Sequence, residues 1–224
     1  MRKRCIALAA ILLLAFPLQG CWNYKEIETM SVVAGFAIDR GYEGYKYHLT
    51  FDIADTSSAG KDKPVETELL ESEGDSIMDA MRSAVERSGM RLFFQNCQVV
   101  VIARDVAEES ILPIMDFLTR NNEIRNTTEL FVSEEKTAKE ILEQKPTTMS
   151  ITSLEIDKIY EHNEKMEPVA SYRMLFENYN TLASKGQALA LAALRLGENM
   201  CKKTAMLSGM AVFSGDRLTG FIRG

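Results

Sequence analysis

The sequence is poor in histidine, positive charge, proline and glycine. It has two histidines among 224 residues, and its 26 lysines and arginines are outnumbered by 32 aspartates and glutamates, which gives a net charge of −6. Nucleic-acid binding depends on a basic surface that neutralises phosphates, so this composition argues against that function. Proline (5) and glycine (13) are scarce and 46% of the residues are hydrophobic, so the composition predicts a folded core and argues against disorder.

Long apolar runs are also scarce, and the one that stands out lies at the N-terminus. Residues 6–16 are eleven consecutive apolar residues, preceded by basic residues at positions 2–4. Spanning a bilayer takes about 20 apolar residues, so this run is typical of a secretory signal peptide rather than of a transmembrane helix. The sequence therefore argues against a polytopic membrane protein and predicts export.

The residues after this run predict a lipid anchor. Pro17 ends the apolar segment, and the next four residues, Leu18-Gln19-Gly20-Cys21, resemble the lipobox of bacterial lipoproteins. In that class the signal is cut just before the cysteine, whose thiol carries a diacylglyceryl group. We therefore expect cleavage after Gly20 and lipidation of Cys21, as S-diacylglycerol or N-palmitoyl cysteine. Two acyl chains are enough for stable anchoring. A plain secretory signal followed by an unmodified cysteine is the alternative.

The remaining cysteines indicate neither a disulfide nor a metal site. Cys97 opens an apolar run and is expected to be a half-buried strand thiol, whereas Cys201 lies in a polar stretch. A disulfide between them is chemically permitted outside the cytoplasm, but nothing in the sequence brings them together. No Cys/His pattern has the spacing of metal ligands.

No catalytic or cofactor motif occurs in the chain. It contains no nucleophile elbow, phosphate-binding loop, dinucleotide fingerprint or HExxH. His48 is expected on the solvent-exposed face of a strand, and His162 on a charged helix. A series of acidic residues is predicted to be a solvated loop and helix start, because it lacks the spacing of a calcium-binding loop. This series consists of Glu66, Glu68, Glu71, Glu73 and Asp75.

The hydrophobic patterns predict an α/β (α+β) fold with a mixed, partly antiparallel sheet and flanking helices. Ser31–Asp39 and residues 45–53 alternate around a glycine-containing turn, which indicates an antiparallel hairpin. Residues 55–68 are polar and are expected to form an exposed loop. Further helices are predicted at 74–87, around 111–118, at 136–143 and within 150–185, and further strands at 92–103, 128–133, 207–213 and 218–222. The periodicity of residues 188–196 fits a helix or a strand, and the strands expected after them favour a strand.

Several segments resemble one family. Residues 20–27 read Gly-Cys-Trp-Asn-Tyr-Lys-Glu-Ile, and the strand that follows contains Gly35-Phe36-Ala37-Ile38-Asp39. Together with three later segments, they are similar to the Ger(x)C family, the lipoprotein C subunits of spore germinant receptors. The later segments are Glu73-Gly74-Asp75-Ser76-Ile77, the run from Leu92 to Ile102, and Leu207–Phe213 with Arg217-Leu218-Thr219-Gly220.

The resemblance implies a role rather than a reaction. Ger(x)C proteins are non-enzymatic subunits on the outer face of the spore inner membrane, and they act with two membrane-embedded subunits, A and B. By this resemblance the chain divides into a signal peptide (1–20), an N-terminal α/β domain (21–196) and a hairpin (197–224). The hairpin would lead into a C-terminal part that is missing here, since the family continues through further domains.

Two other functions remain open from the sequence. One is a lipid-anchored extracytoplasmic binding protein for small molecules, which should have a deep pocket lined by aromatic side chains. The single tryptophan, Trp22, lies beside the expected lipid and is better explained by contact with the membrane surface. An envelope hydrolase is a more distant alternative.

Overall fold

The computed structural model describes Arg4 and residues 30–55, 66–166, 174–184, 186–199 and 202–223. Within these ranges the chain forms nine strands and six helices, which confirms the predicted α/β class. The strands are β1 (Met30–Arg40), β2 (Tyr47–Asp55), β3 (Glu66–Gly74), β4 (Arg91–Phe93), β5 (Val99–Ile102), β6 (Glu129–Ser133), β7 (Ala190–Asn199), β8 (Lys202–Ser214) and β9 (Arg217–Ile222). The helices are α1 (Ile77–Ser88), α2 (Arg104–Glu109), α3 (Leu112–Arg120), α4 (Lys139–Leu142), α5 (Thr152–Met166) and α6 (Leu175–Ala183).

All nine strands belong to one mixed sheet. Its order is β3-β2-β1-β5-β6-β7-β8-β9, and β4 also pairs with β1. The central strands β1, β5, β6 and β7 are parallel, whereas both ends of the sheet are antiparallel. Every residue of β5 is buried, as expected for a parallel strand covered on both faces. The predicted mixed, partly antiparallel sheet is therefore confirmed.

The predicted first hairpin is present, but its solvent exposure was wrongly predicted. β1 and β2 pair antiparallel, with Asp39 opposite His48. His48, Thr50 and Asp52, which the alternation places on an exposed face, are only 5%, 0% and 1% exposed. Alternation shows which residues share a face, but it does not show whether helices cover that face, and here α4 and α5 contact the sheet.

The prediction of a loop over residues 55–68 is wrong for its C-terminal part. Residues 56–65 lie outside the described part of the chain, but Glu66–Gly74 forms β3, which pairs with β2 along its whole length. The acidic series is therefore mostly a strand rather than a solvated loop. Charged side chains are common on strands at the edge of a sheet because they discourage pairing with other chains, and they hide the strand from pattern analysis.

Helix α1 packs against the other face of β2 and β3. Ser76 caps it by accepting a hydrogen bond from the Asp79 N–H (3.1 Å), and Gly89 ends it in the left-handed region (φ 67°). Ile77, Ala80, Met81 and Ala84 form its buried stripe. Helix α1 contacts α3, which contacts α6.

Two other features differ from the sequence patterns, a divided strand and an additional helix. The strand predicted over residues 92–103 is divided into β4 and β5 by a turn, and α2 was not predicted. The predicted strands at 188–196, 207–213 and 218–222 are confirmed as β7, β8 and β9, and the domain boundary expected at residue 196 falls inside β7. Strands β7 and β8 pair from Ala190–Val212 to Asn199–Lys202, so the C-terminal hairpin continues the sheet.

Candidate functional site

The residue predicted to carry the lipid lies outside the described part of the chain. The same is true of Gly20, Trp22 and Cys201, so lipidation of Cys21 stays a prediction. Cys97 is a free thiol that is only 1% exposed, and burial raises its pKa. It is therefore more deeply buried than predicted, in a setting that disfavours the reactive thiolate. His162 is exposed, as predicted.

Gly35 and Asp39, the two ends of the Gly-Phe-Ala-Ile-Asp segment in β1, attach helices to the sheet. A Cβ on Gly35 would come within 2.7 Å of Ser153 Cβ and Val99 Cγ2, so the missing side chain lets α5 approach the strand. At the other end, the Asp39 carboxylate accepts hydrogen bonds from the backbone N–H groups of Ala138 (2.6 Å) and Lys139 (3.0 Å). Asp39 thus satisfies donors at the start of α4, which makes this segment a helix-docking element.

The other segments that resemble the Ger(x)C family are also built into the fold. Gly74 allows close approach of α1, because a Cβ there would lie 2.9 Å from the Ala80 Cα. Phe94 is buried and packs edge-on against Phe36 and Phe51, with ring centroids 6.1 and 6.0 Å apart. Gly209 has φ +133°, and a Cβ on it would meet the backbone of β9. The features that make the sequence recognisable therefore determine packing.

A cluster of charged side chains joins β1, β2, β3 and α4 near the carboxyl end of β1. His48 Nε2 lies 3.0 Å from Glu71 Oε2, and Lys139 Nζ lies 2.8 Å from Glu71 Oε1. The ring of the exposed Tyr42 packs edge-on against His48, with centroids 5.3 Å apart. Carboxyl ends of parallel strands are common sites of binding in α/β sheets, so we take this cluster as the candidate site.

The electrostatics of the cluster depend on burial and on Lys139. Burial raises the pKa of Asp39, and its two backbone hydrogen bonds and the nearby His48 offset only part of that effect. For Glu71, partial burial acts in the same direction, but the hydrogen bond and charge of Lys139 outweigh it and hold the pKa below the usual value. The contacts of Glu71 with His48 and Lys139 thus join the edge strand β3 to both β2 and α4.

This arrangement favours a structural role over a chemical one. The oxygens of Asp39 and Glu71 all accept hydrogen bonds or ion pairs from neighbouring residues. Three cavities beside the described residues are lined by other side chains and not by Asp39, His48 or Glu71. Within the described ranges no group of three or more His, Cys, Asp or Glu side chains could hold a metal ion.

A groove lies between α5 and the first half of β8. It has a volume of about 290 Å³ and adjoins a second depression of about 450 Å³ along α5. Both contain Thr148, Glu155, Ile159 and Asn163. None of the residues that line them is Phe, Tyr or Trp, and the one ring at their edge is the imidazole of His162 in the second depression. The groove therefore lacks the aromatic lining expected of a small-molecule binding protein.

Sequence reasoning missed Lys139, Glu71 and Ser153 as parts of these helix attachments. Ser and Asp near the start of a helical pattern are known signals for capping, and Ser153 lies in the first turn of α5. Asp39 and Asp52 come from strands about 100 residues away in sequence, and a pattern within one segment cannot pair them with a helix. Among the described helices, none is long and apolar enough to cross a bilayer.

Comparison with known proteins assigns most of the chain to one family model. The model described as the spore germination protein N-terminal domain matches residues 23–196. Spore germination protein KC of Bacillus subtilis (strain 168) is 28% identical over 173 residues, which covers 73% of this chain and 42% of that protein. Putative spore germination protein YfkR of the same strain is 24% identical over 230 residues, covering 97% of this chain and 58% of that protein. The chain thus spans about half the length of these curated relatives, and no solved structure matches it.

Proposed function

Because the chain belongs to the family of spore germination proteins defined by this N-terminal domain, we propose that it is a lipid-anchored subunit of a nutrient germinant receptor. Family membership supports a role in spore germination. The finer proposal is that the protein acts by contact with the membrane-embedded A and B subunits, at the outer face of the spore inner membrane. It includes no catalytic step.

The main support for this proposal is that residues in the segments that resemble the Ger(x)C family have a role in packing. Gly35, Asp39, Gly74 and Gly209 bring helices and strands together, and none of them lines the groove and depression beside α5. An enzyme family is expected to share residues that converge on a reaction centre. Shared residues that build the scaffold instead favour a protein that presents a surface to its partners.

The proposed tether fits this mode of action. Cys21 precedes the start of β1 at Met30 by nine residues, so a lipid on Cys21 would hold the sheet close to the membrane. Confinement beside membrane-embedded partners raises their effective concentration, so a weak interface is sufficient. The net negative charge of the chain opposes adsorption to an anionic bilayer, which makes the lipid the main attraction.

Cys21→Ala tests the tether. In spores we expect this variant to leave the inner-membrane fraction, while Gln19→Ala, which places a smaller residue in the lipobox, stays in it. Equal membrane retention of Cys21→Ala and the wild type would contradict the anchor.

Co-purification tests the receptor role. An affinity tag on the protein, recovered from detergent-solubilised spore inner membranes, should bring down two polytopic subunits encoded beside it. The contrary result is recovery of the tagged protein alone under conditions that keep the two membrane subunits together.

The groove beside α5 motivates the alternative of a small-molecule binding protein. Its size approaches that of ligand pockets, which hold about 300–1,000 Å³. Calorimetric titration of the soluble chain with amino acids and sugars distinguishes the two functions. Saturable binding that is lost in Asn163→Leu would favour the alternative, whereas the receptor proposal expects no binding by the isolated chain.

A further inference from the structure

Asp52 is a buried carboxylate that holds the start of α5 against the sheet. It is only 1% exposed, and its Oδ2 accepts hydrogen bonds from the Ser153 N–H (2.9 Å) and the Ser153 hydroxyl (2.7 Å). Its other oxygen, Oδ1, is buried and has no hydrogen-bond partner in the described chain. A buried anion with one oxygen unpaired is destabilising unless a cation compensates it.

The elements packed around Asp52 provide no such cation among the described residues. Its neighbours across the sheet are Gly35 in β1 and Leu69 in β3, and both are uncharged. Charged groups on the surrounding elements pair with other residues. His48 on β2 contacts Glu71 on β3. On α4, Lys139 pairs with Glu71 and Glu143. On α5, Glu155 binds Thr147 and Thr148, and Asp157 lies near Lys158.

The segment before α5 makes most of its hydrogen bonds with itself and with the first turn of the helix. Glu155 accepts hydrogen bonds from the Thr147 and Thr148 N–H groups, and the Thr152 hydroxyl donates to the Gln144 carbonyl (2.7 Å). The small apolar cluster formed by Ile151 with Ala34 and Ala54 is the neighbouring contact with the sheet. Asp52 therefore provides a polar link between a self-contained segment and β2.

We propose that Asp52 is a protonation-linked latch: the protonated carboxyl keeps the start of α5 docked on β2, and loss of the proton to solvent loosens it. A protonated Oδ1 is a donor rather than part of an uncompensated anion, while Oδ2 continues to accept from Ser153. Deprotonation restores the buried negative charge. Undocking of α5 admits water, which solvates the carboxylate and lowers the energetic cost of that charge.

The direction of the pH dependence follows from linkage. Burial raises the pKa of Asp52, and the two hydrogen bonds from Ser153 offset only part of this rise. In the undocked state the carboxyl is solvated and returns towards its ordinary value of 3.8. The docked state therefore binds the proton more tightly, so docking is strongest in acid and weakens as the pH rises from that value through the docked pKa.

Hydrogen exchange of the full chain at a series of pH values tests the latch. After correction for intrinsic exchange, protection of amides in residues 149–156 should fall as the pH rises, by about tenfold for each unit of pKa shift. Asp52→Asn, which mimics the uncharged carboxyl, should remove this dependence. Asp75→Asn, at an exposed aspartate, should retain it. Protection that is independent of pH in the wild type, or still dependent on pH in Asp52→Asn, would overturn the proposal.

A second measurement does not depend on the folding of a variant. Carbon NMR of the aspartate carboxyl groups in the wild-type chain should show Asp52 titrating above its ordinary value of 3.8. Resonances of the Ser153 backbone should shift with the same midpoint. If Asp52 titrates at or below that ordinary value, the latch does not exist.

Discussion

Gly35 of β1 and Ser153 of α5 fit together because the glycine has no side chain. A Cβ at position 35 would lie 2.7 Å from Ser153 Cβ, which is closer than two non-bonded carbon atoms can approach. The same serine donates two hydrogen bonds to Asp52, which lies opposite Gly35 in the sheet. The contacts of Ser153 with Gly35 and Asp52 thus determine how closely α5 approaches the sheet and where along the sheet it begins.

Replacing Gly35 should therefore destabilise the fold. We expect Gly35→Ala to lower the free energy of unfolding by about 1–3 kcal/mol, because α5 must shift to admit the methyl group. Gly220→Ala in β9 is the matched control, since a Cβ there has no atom within 4 Å. Urea unfolding followed by circular dichroism measures both, and equal stability of the two variants would show that α5 does not depend on the contact.

Asp39 should contribute to stability through the start of α4. Asp39→Ala leaves two backbone N–H groups without their acceptor, so we expect a loss of about 1–3 kcal/mol, while Asp39→Asn retains one acceptor oxygen and should lose less. Asp75→Ala, at an exposed position, should change stability by less than about 0.5 kcal/mol. Thermal unfolding distinguishes these outcomes; an Asp39→Ala protein as stable as the Asp75→Ala protein would contradict the capping role.

The ion pair between Glu71 and Lys139 should give a small stabilisation that disappears in acid. Both side chains are partly exposed (41% and 28%), so Lys139→Met should lose no more than about 1 kcal/mol near neutral pH. Because the pKa of Glu71 is held below its unfolded value, this stabilisation is present above the unfolded pKa and is lost as the pH falls through the folded pKa.

Urea unfolding at several pH values checks this dependence. The difference in stability between the wild type and Lys139→Met should shrink as the pH is lowered, whereas Lys136→Met, at an exposed lysine nearby, should behave like the wild type throughout. A difference that stays constant in acid would show that packing of the Lys139 side chain, rather than its charge, is responsible.

Strands β8 and β9 should unfold together with the rest of the sheet, although the family match ends at residue 196. Phe213 of β8 is 1% exposed and belongs to the main hydrophobic core, so Phe213→Ala should lose about 3–5 kcal/mol. Lys203→Ala on the same strand, at an exposed position, should be nearly neutral. A separate unfolding transition for Phe213→Ala would instead identify the hairpin as an independent unit.

The β1–β2 hairpin and α1 have strong local patterns. They follow periods of two and 3.6 in the sequence, with a turn or a cap at one end. The periodicity of residues 188–196 fits a helix or a strand, and only the strands expected after them favour β7. The turn after Phe93 was missed because the buried Phe94 and Cys97 continue the apolar run through it.

The rest could not be predicted because it depends on contacts between distant segments. Glu71 in β3 looks solvated until Lys139 of α4 is placed beside it, and Asp52 looks exposed until Ser153 covers it. The polar residues of β2 would be equally consistent with an open sheet face in water. Only the packing of α4 and α5 decides between these two possibilities, and that packing depends on glycine and aspartate residues far apart in sequence from the helices they contact.

The central claim is that a lipid on Cys21 holds this domain at the membrane, where it docks with its partners. Intact-mass spectrometry of the protein extracted from the spore inner membrane tests the claim most directly. We predict a mature chain that begins at Cys21 and carries the added mass of a diacylglyceryl group. A chain that begins at Met1, or one that begins at Cys21 with an unmodified thiol, would contradict it.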